Sequence, residues 1–181
     1  GPGAPLKLLR VSRLIPRKGG DRLIAAMRLL KNKPVHLTLV GEGDAAAALK
    51  AAARGLSIAF LDYVRHEELL PVYQSHHVFV LPSHNEGMSN TVLEAIACGL
   101  PIIATDTGGT AELVNLNGLI LKDNSPKAIA AAIGQFLDNP GLIASMGRLS
   151  RRRAEDLGWD RIAAQYLALY ARAAGKPGLA P

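Results

Sequence analysis

Short, nearly all-apolar runs alternate along this chain with stretches in which apolar residues recur every three or four positions. The runs at 6–12, 35–40, 57–61, 77–81, 101–105 and 118–121 read as strands. The fourth, His77-Val78-Phe79-Val80-Leu81, is apolar on both of its alternating sides, as in a parallel strand covered on both faces. Between the runs lie helical patterns. Gly19-Gly20-Asp21 opens one carrying Leu23, Ile24, Met27 and Leu30 in phase, and an alanine-rich one stops near Gly55. Others are expected at 66–74 and 90–98, the latter closed by Gly99, and a short one precedes the sixth strand. Ser125 caps a helix with Ile129, Ile133, Phe136 and Leu137 in phase, broken by Asn139-Pro140. A further helix runs to about Asp156, and Trp159, Ile162, Tyr166 and Tyr170 mark one face of a last one.

Strands separated by helices imply right-handed βαβ units and a doubly wound parallel sheet, here a six-stranded, Rossmann-like α/β lobe with C-terminal helices. Ligands on such sheets sit outside the carboxyl ends of the strands. The loops after Ser12, Val40, Leu61, Leu81 and Thr105 are therefore expected to face one cleft.

Composition narrows the picture. The 181 residues suit one domain or one lobe of a larger enzyme: 6–174 as the lobe, 175–181 as a flexible tail. Residues 1–5 read as a cleavage remnant and linker, since Gly1-Pro2 stands where an initiator methionine would. Aromatics are only 4% of residues, so the core must be aliphatic. Cys98 is the single cysteine, which excludes a disulfide framework and suits a reducing compartment. No run reaches the about 18 apolar residues that span a bilayer. A cytoplasmic placement, extending to the inner face of a membrane, is expected.

The net charge of +6 suits an anionic ligand. The basic residues gather in two small groups, Arg13-Arg17-Lys18 and Arg148-Arg151-Arg152-Arg153. Neither is interleaved with base-stacking aromatics, so nucleic acid is not the expected partner. No His, Cys or carboxylate cluster has metal-ligand spacing, and no metal is expected. His76 and His77 fall at the amino end of a strand, away from the cleft, and His84 reads as a solvated loop histidine.

The informative segment is 86–94, which leaves the buried fourth strand and opens a helix. Gly87 lets the backbone turn tightly and approach a ligand. Ser89 and Asn90 are candidate N-caps, and a helix N-terminus with its partial positive charge is a natural phosphate site. A capped helix with acidic residues near its start would account for Glu94, but not for Glu86 in the preceding loop.

Glu86-x7-Glu94 continues as Ala95-Ile96-Ala97-Cys98-Gly99-Leu100-Pro101-Ile102-Ile103-Ala104-Thr105-Asp106, then Gly108-Gly109-x-x-Glu112. This ordered set resembles the family 4 retaining glycosyltransferases of GT-B fold. Arg13-Leu14 with Lys18-Gly19 stands where that family carries its basic pair, and Val40-Gly41-Glu42-Gly43 and the Asp138-Asn139-Pro140 turn also fit. The resemblance runs over about 6–170.

It implies that the chain is the donor-binding, C-terminal lobe of such an enzyme. Glu86 would contact hydroxyls of the donor sugar, and Glu94 the ribose diol. The backbone N–H groups of Gly87, Met88 and Ser89, with Asn90 beside them, would meet the sugar and the distal phosphate. Arg13 and Lys18 would neutralise the diphosphate as it leaves. Gly41 would line the site, and the base would rest on Tyr63-Val64-Arg65 through backbone contacts. It further implies a UDP-, GDP- or ADP-sugar as co-substrate without resident cofactor or metal, and an acceptor glycan or lipid. The amino-terminal acceptor lobe is expected to be missing from this chain, which would fold alone and transfer no sugar unaided. The last helix would pack back toward that lobe. The triple Arg151-Arg152-Arg153 reads as a solvated helix face, with contact to an anionic lipid or membrane surface as its sharper reading. Two positions depart from the family pattern. Ser12 replaces a common glycine, and Met88-Ser89-Asn90 occupies a stretch that often reads Phe-Gly, so sugar identity does not transfer.

A dinucleotide oxidoreductase would need G-x-G-x-x-G in the turn after the first strand. That turn is Ser12-Arg13-Leu14-Ile15-Pro16-Arg17-Lys18, bulky and basic, and Gly41-Glu42-Gly43-Asp44 supplies only a G-x-G after the second. The alternatives that remain are a nonenzymatic nucleotide-sugar-binding regulator and a GT-B epimerase-like lobe. A phosphorylase, which needs a lysine-bound pyridoxal phosphate, has no support in the sequence.

Overall fold

The computed structural model describes residues 4–84 and 87–173. Its strands are β1 (Leu6–Val11), β2 (Val35–Val40), β3 (Ile58–Leu61), β4 (Val78–Leu81), β5 (Ile102–Thr105) and β6 (Gly118–Leu121). Its α-helices are α1 (Gly20–Leu29), α2 (Ala46–Ala52), α3 (Leu69–Gln74), α4 (Asn90–Ala97), α5 (Thr110–Leu113), α6 (Pro126–Asp138), α7 (Gly141–Asp156) and α8 (Trp159–Ala173). All six strands pair in parallel, in the order β3-β2-β1-β4-β5-β6.

That order makes the chain wind outward in one direction from β1 and in the other from β4. Each face of the sheet thereby gains its own core. Leu8, Leu37, Val80 and Ile103 meet Leu23, Ile24, Ile133 and Phe136 on the face covered by α1 and α6. Leu9, Phe79, Leu81 and Ile102 meet Tyr73, Val92, Ile96 and Leu113 on the other, where α4 packs on α7. Both cores are largely aliphatic, as the low aromatic content requires. β4 is buried at every position, which is why its residues do not alternate with polar ones.

Local chemistry explains most boundaries. The Ser125 side chain accepts a hydrogen bond from the Ala128 N–H at 3.2 Å, and Pro126 fills the first helical position of α6. The helix expected at 66–74 is divided. His66–Glu68 forms a 3₁₀ turn, and the α-helix begins only at Leu69. Pro71 has no N–H to donate back to Glu67, so α-helical pairing cannot extend upstream through it. A second 3₁₀ turn, Pro16–Lys18, lies where the sequence shows only a basic loop.

Candidate functional site

The crevice of a doubly wound sheet opens where the winding reverses, here between β1 and β4. The loop leaving β1 ends in the turn Pro16–Lys18 and then Gly19, whose left-handed φ of 68° swings the chain into α1. A Cβ at Gly19 would lie 2.2 Å from the Pro82 carbonyl oxygen, so this loop packs directly on the one leaving β4. Gly19-Gly20 is thus a fixed junction between the two loops. The His84 N–H donates to the Arg17 carbonyl at 2.9 Å and ties the two loops together. On its far side the β4 loop is held by the loop after β5. Thr105 Oγ1 donates to the Ser83 carbonyl, and the Gly109 N–H to the Gly87 carbonyl at 3.1 Å.

Arg13 and Lys18 therefore lie on a loop that packs against the β4 loop leading into α4. Ser89 is its N-cap residue, but its side chain makes no capping bond; its Oγ lies 3.1 Å from Thr91 Oγ1. Asn90 is the first helical residue, not a cap. The expectation of side-chain capping is corrected: the Ser89 hydroxyl is drawn to the neighbouring hydroxyl of Thr91. Gly87, Met88 and Asn90 are exposed and Ser89 is buried. Glu86 lies outside the described residues.

Beside Arg13, a cavity of about 590 Å³ opens between the ends of β1, β2 and β3, lined by Val11, Arg13, Gly41, Tyr63, Val64 and Leu69. Tyr63 is 72% exposed there and Val64 half-buried, whereas Arg65 turns to the surface and pairs with Glu68. A second cavity of about 210 Å³ shares Leu69 with the first and is lined by His66, Tyr73, Glu94 and Cys98. Glu94, one turn into α4, keeps 28% of its side chain exposed. Its Oε2 accepts from the Tyr73 hydroxyl at 2.6 Å, and its Oε1 is 3.8 Å from His66 Nδ1. Burial, then the Glu94 hydrogen bond and charge, push the Tyr73 hydroxyl well above its ordinary range, so it stays a donor. Burial, followed by the Glu94 charge, also raises the Cys98 thiol and keeps it neutral.

The fold brings Arg13, Lys18, Gly41, Tyr63, Val64, Gly87, Met88, Ser89 and Glu94 to one edge of the sheet. Three residues were not anticipated. Arg10, 1% exposed and next to last in β1, donates through Nη2 to the Lys18 carbonyl and braces the basic loop from below. A charge inside an apolar strand was the available signal. Tyr73 and His66 reach Glu94 across sequence distances that no local pattern reveals. His76 is placed as expected, away from the crevice, with Nε2 2.8 Å from Thr38 Oγ1 and Nδ1 2.6 Å from the Val72 carbonyl. The Arg151–Arg153 run is not simply solvated. Arg151 Nη1 donates to the Ala97 carbonyl at 2.8 Å, at the C-terminus of α4, and Arg153 Nη2 donates to the Glu112 carbonyl at 2.6 Å. The run fastens α7 across two neighbouring helices, one of them at its negative end.

Residues 5–139 match the family model described as Glycosyl transferases group 1. The chain belongs to this family. It is 35% identical over 184 residues to the D-inositol 3-phosphate glycosyltransferase of Geodermatophilus obscurus, covering 92% of this chain and 40% of that protein. It is 32% identical over 164 residues to a GDP-mannose-dependent phosphatidylinositol dimannoside mannosyltransferase of Mycobacterium tuberculosis, covering 89% of this chain and 42% of that protein. The chain thus spans about two fifths of the length of these relatives. Among solved structures, sucrose-phosphate synthase from Thermosynechococcus elongatus superposes with a TM-score of 0.81 at 29% identity, over 97% of this chain and 47% of that one. A pneumococcal O-GlcNAc transferase, solved with UDP and GlcNAc, superposes at 0.74 with 26% identity, over 83% of this chain and 32% of that one. The six-stranded parallel sheet flanked by helices is the architecture of these GT-B glycosyltransferases.

Proposed function

We propose that this chain is the donor-binding lobe of a retaining glycosyltransferase that moves a sugar from a nucleoside diphosphate to an acceptor glycan or lipid held on a second lobe. The observation that supports the reading is the packing, at the switch point, of the basic loop that carries Arg13 and Lys18 on the β4 loop that leads into α4, on which the half-buried carboxylate of Glu94 stands one turn in.

Each part suits one piece of such a donor. The α4 N-terminus offers backbone N–H groups and a partial positive charge, which favour a phosphate. Arg13 and Lys18 supply full charges from the β1 loop. As the glycosidic bond breaks, negative charge grows on the departing diphosphate, and cations fixed beside it lower the barrier. No proton transfer is needed from them. Glu94 accepts hydrogen bonds from the vicinal hydroxyls of ribose. The base lies in the larger cavity against Tyr63-Val64-Arg65, with Gly41 in its floor. Glu86 holds the sugar hydroxyls, a role resting on its place in the Glu86-x7-Glu94 pattern. The donor set uses neither metal nor resident cofactor.

The donor nucleotide is UDP, GDP or ADP: relatives are named GDP-mannose-dependent, and one structural neighbour was solved with UDP. The phosphatidylinositol-based names among the relatives favour a lipid or glycan acceptor, and a cytoplasmic membrane face is the location proposed for the reaction. No helix among the described residues is long and apolar enough to cross a membrane. A second lobe is supported by α8, which leaves Tyr166, Leu167, Leu169 and Tyr170 more than half exposed.

The test is a pair of variants titrated with a nucleoside diphosphate and its sugar conjugate. Glu94→Ala should weaken both ligands alike. Glu86→Ala should weaken only the conjugate. Equal losses for both ligands in both variants would contradict the two roles.

A further inference from the structure

The donor reading leaves one buried polar group at the site without a task. Tyr73, on α3, is 1% exposed, and its ring packs near Phe79 with centroids 6.0 Å apart. Its hydroxyl has two acceptors in range, Glu94 Oε2 at 2.6 Å and the Thr91 carbonyl at 3.5 Å. A phenol has one proton to give, and the nearer, charged oxygen takes it.

The consequence falls on Glu94. A glutamate on a helix surface swings through several rotamers, and freezing it on a ligand costs entropy. Here α3 holds one carboxylate oxygen from the protein side. The plane of the carboxylate is set, and Oε1 is left toward the His66 side of the cavity that this pair lines. Two vicinal hydroxyls need two lone pairs in fixed relation. A carboxylate held by one oxygen offers Oε1 and the remaining lone pair of Oε2, while a swinging one does not.

We propose that Tyr73 is a positioning residue that fixes Glu94 as a diol acceptor and thereby makes the site prefer ribonucleotides to 2′-deoxyribonucleotides. The proposal rests on the reading of Glu94 as the ribose grip. Tyr73 touches no ligand; it acts through Glu94.

The experiment is calorimetric titration of the 181-residue chain with whichever of UDP, GDP and ADP binds most tightly, with its 2′-deoxy analogue, and with inorganic pyrophosphate. The unaltered chain should prefer the ribonucleotide by about tenfold or more, the worth of one charge-assisted hydrogen bond. Tyr73→Phe keeps the ring and should reduce that preference to about threefold or less, leaving pyrophosphate affinity unchanged. Glu94→Ala should abolish the preference, and adding Tyr73→Phe to it should change nothing more. Should Tyr73→Phe fail to fold, Tyr73→Leu serves in its place. It removes the hydroxyl while leaving Glu94 whole, and should lose the preference likewise.

Loss of the preference in Glu94→Ala with full retention in Tyr73→Phe, or in Tyr73→Leu, overturns the role of Tyr73 and leaves that of Glu94 standing. A parallel loss of pyrophosphate affinity in Tyr73→Phe shows a merely structural tyrosine and overturns the proposal too. An unaltered chain without any preference, a preference that survives Glu94→Ala, or no nucleotide binding at all removes the ribose reading, and the proposal with it.

Discussion

The junction at Gly19 is the most exacting mechanical feature of the crevice, and a pair of alanine substitutions isolates it. Gly19 and Gly55 share a left-handed backbone, with φ of 68° and 76°. Their surroundings differ. A Cβ at Gly19 would lie 2.2 Å from the Pro82 carbonyl oxygen, whereas one at Gly55 meets nothing within 4 Å. Gly55→Ala therefore carries only the left-handed strain, about 1–2 kcal/mol. Part of this is offset by the stiffer unfolded chain, about 0.4–1 kcal/mol. For a domain of this size a net loss of about 1 kcal/mol lowers Tm by about 2–4 °C. Gly19→Ala adds a collision with a backbone atom that no rotamer change relieves. The two loops must part, at a further cost of about 2–3 kcal/mol, for a total Tm loss of about 6–15 °C. Thermal unfolding followed by circular dichroism gives both numbers. Because Lys18 precedes Gly19, pyrophosphate affinity should also fall in Gly19→Ala and not in Gly55→Ala. Equal Tm losses in the two variants would show that the β1 and β4 loops are not locked together.

Other expectations follow from the same contacts. Arg13→Ala and Lys18→Ala should each weaken a nucleoside diphosphate by about tenfold, since each removes a charge-assisted contact to phosphate; calorimetry at two salt concentrations should show a shallower salt dependence in both. Burial, with Lys7, His36 and His77 adding positive charge nearby, holds His76 below its ordinary 6.5. The unfolded chain then binds a proton more readily than the folded one, so this contribution is complete above about pH 6.5 and is lost progressively as the pH falls below that, down through the lower value of the folded chain. Tm measured from about pH 7.5 down to about pH 5 should decline, and His76→Gln should flatten the slope. Arg151→Ala should cost about 0.5–1 kcal/mol in urea unfolding, by uncovering the C-terminus of α4. The 181-residue chain should transfer no sugar from any donor to glycan or lipid acceptors, measured by radiolabelled product.

Six strands and the doubly wound winding were legible because each strand is a compact apolar run and each helix carries its own phase. The crevice was legible as well, since topology places strand ends together whatever their side chains. What escaped was the meeting of residues distant in sequence. Tyr73 reads as one more apolar position of a helix, and only the fold sets its hydroxyl against Glu94, 21 residues away. Arg10 was hidden inside a strand otherwise suited to burial, yet it is the residue that grips the Lys18 carbonyl. The Arg151–Arg153 run looked solvated because carbonyl partners at Ala97 and Glu112 have no signature in composition. Local periodicity carries the architecture, whereas tertiary hydrogen bonds shape the site.

The central claim is that the crevice binds a nucleoside-diphosphate donor. Calorimetric titration of the chain with UDP, GDP and ADP and their sugar conjugates tests it most directly. The account predicts saturable, one-to-one binding of one of these nucleotides in preference to the others, lost in Glu94→Ala. No heat from any of them at millimolar concentration, with the chain folded, would contradict it.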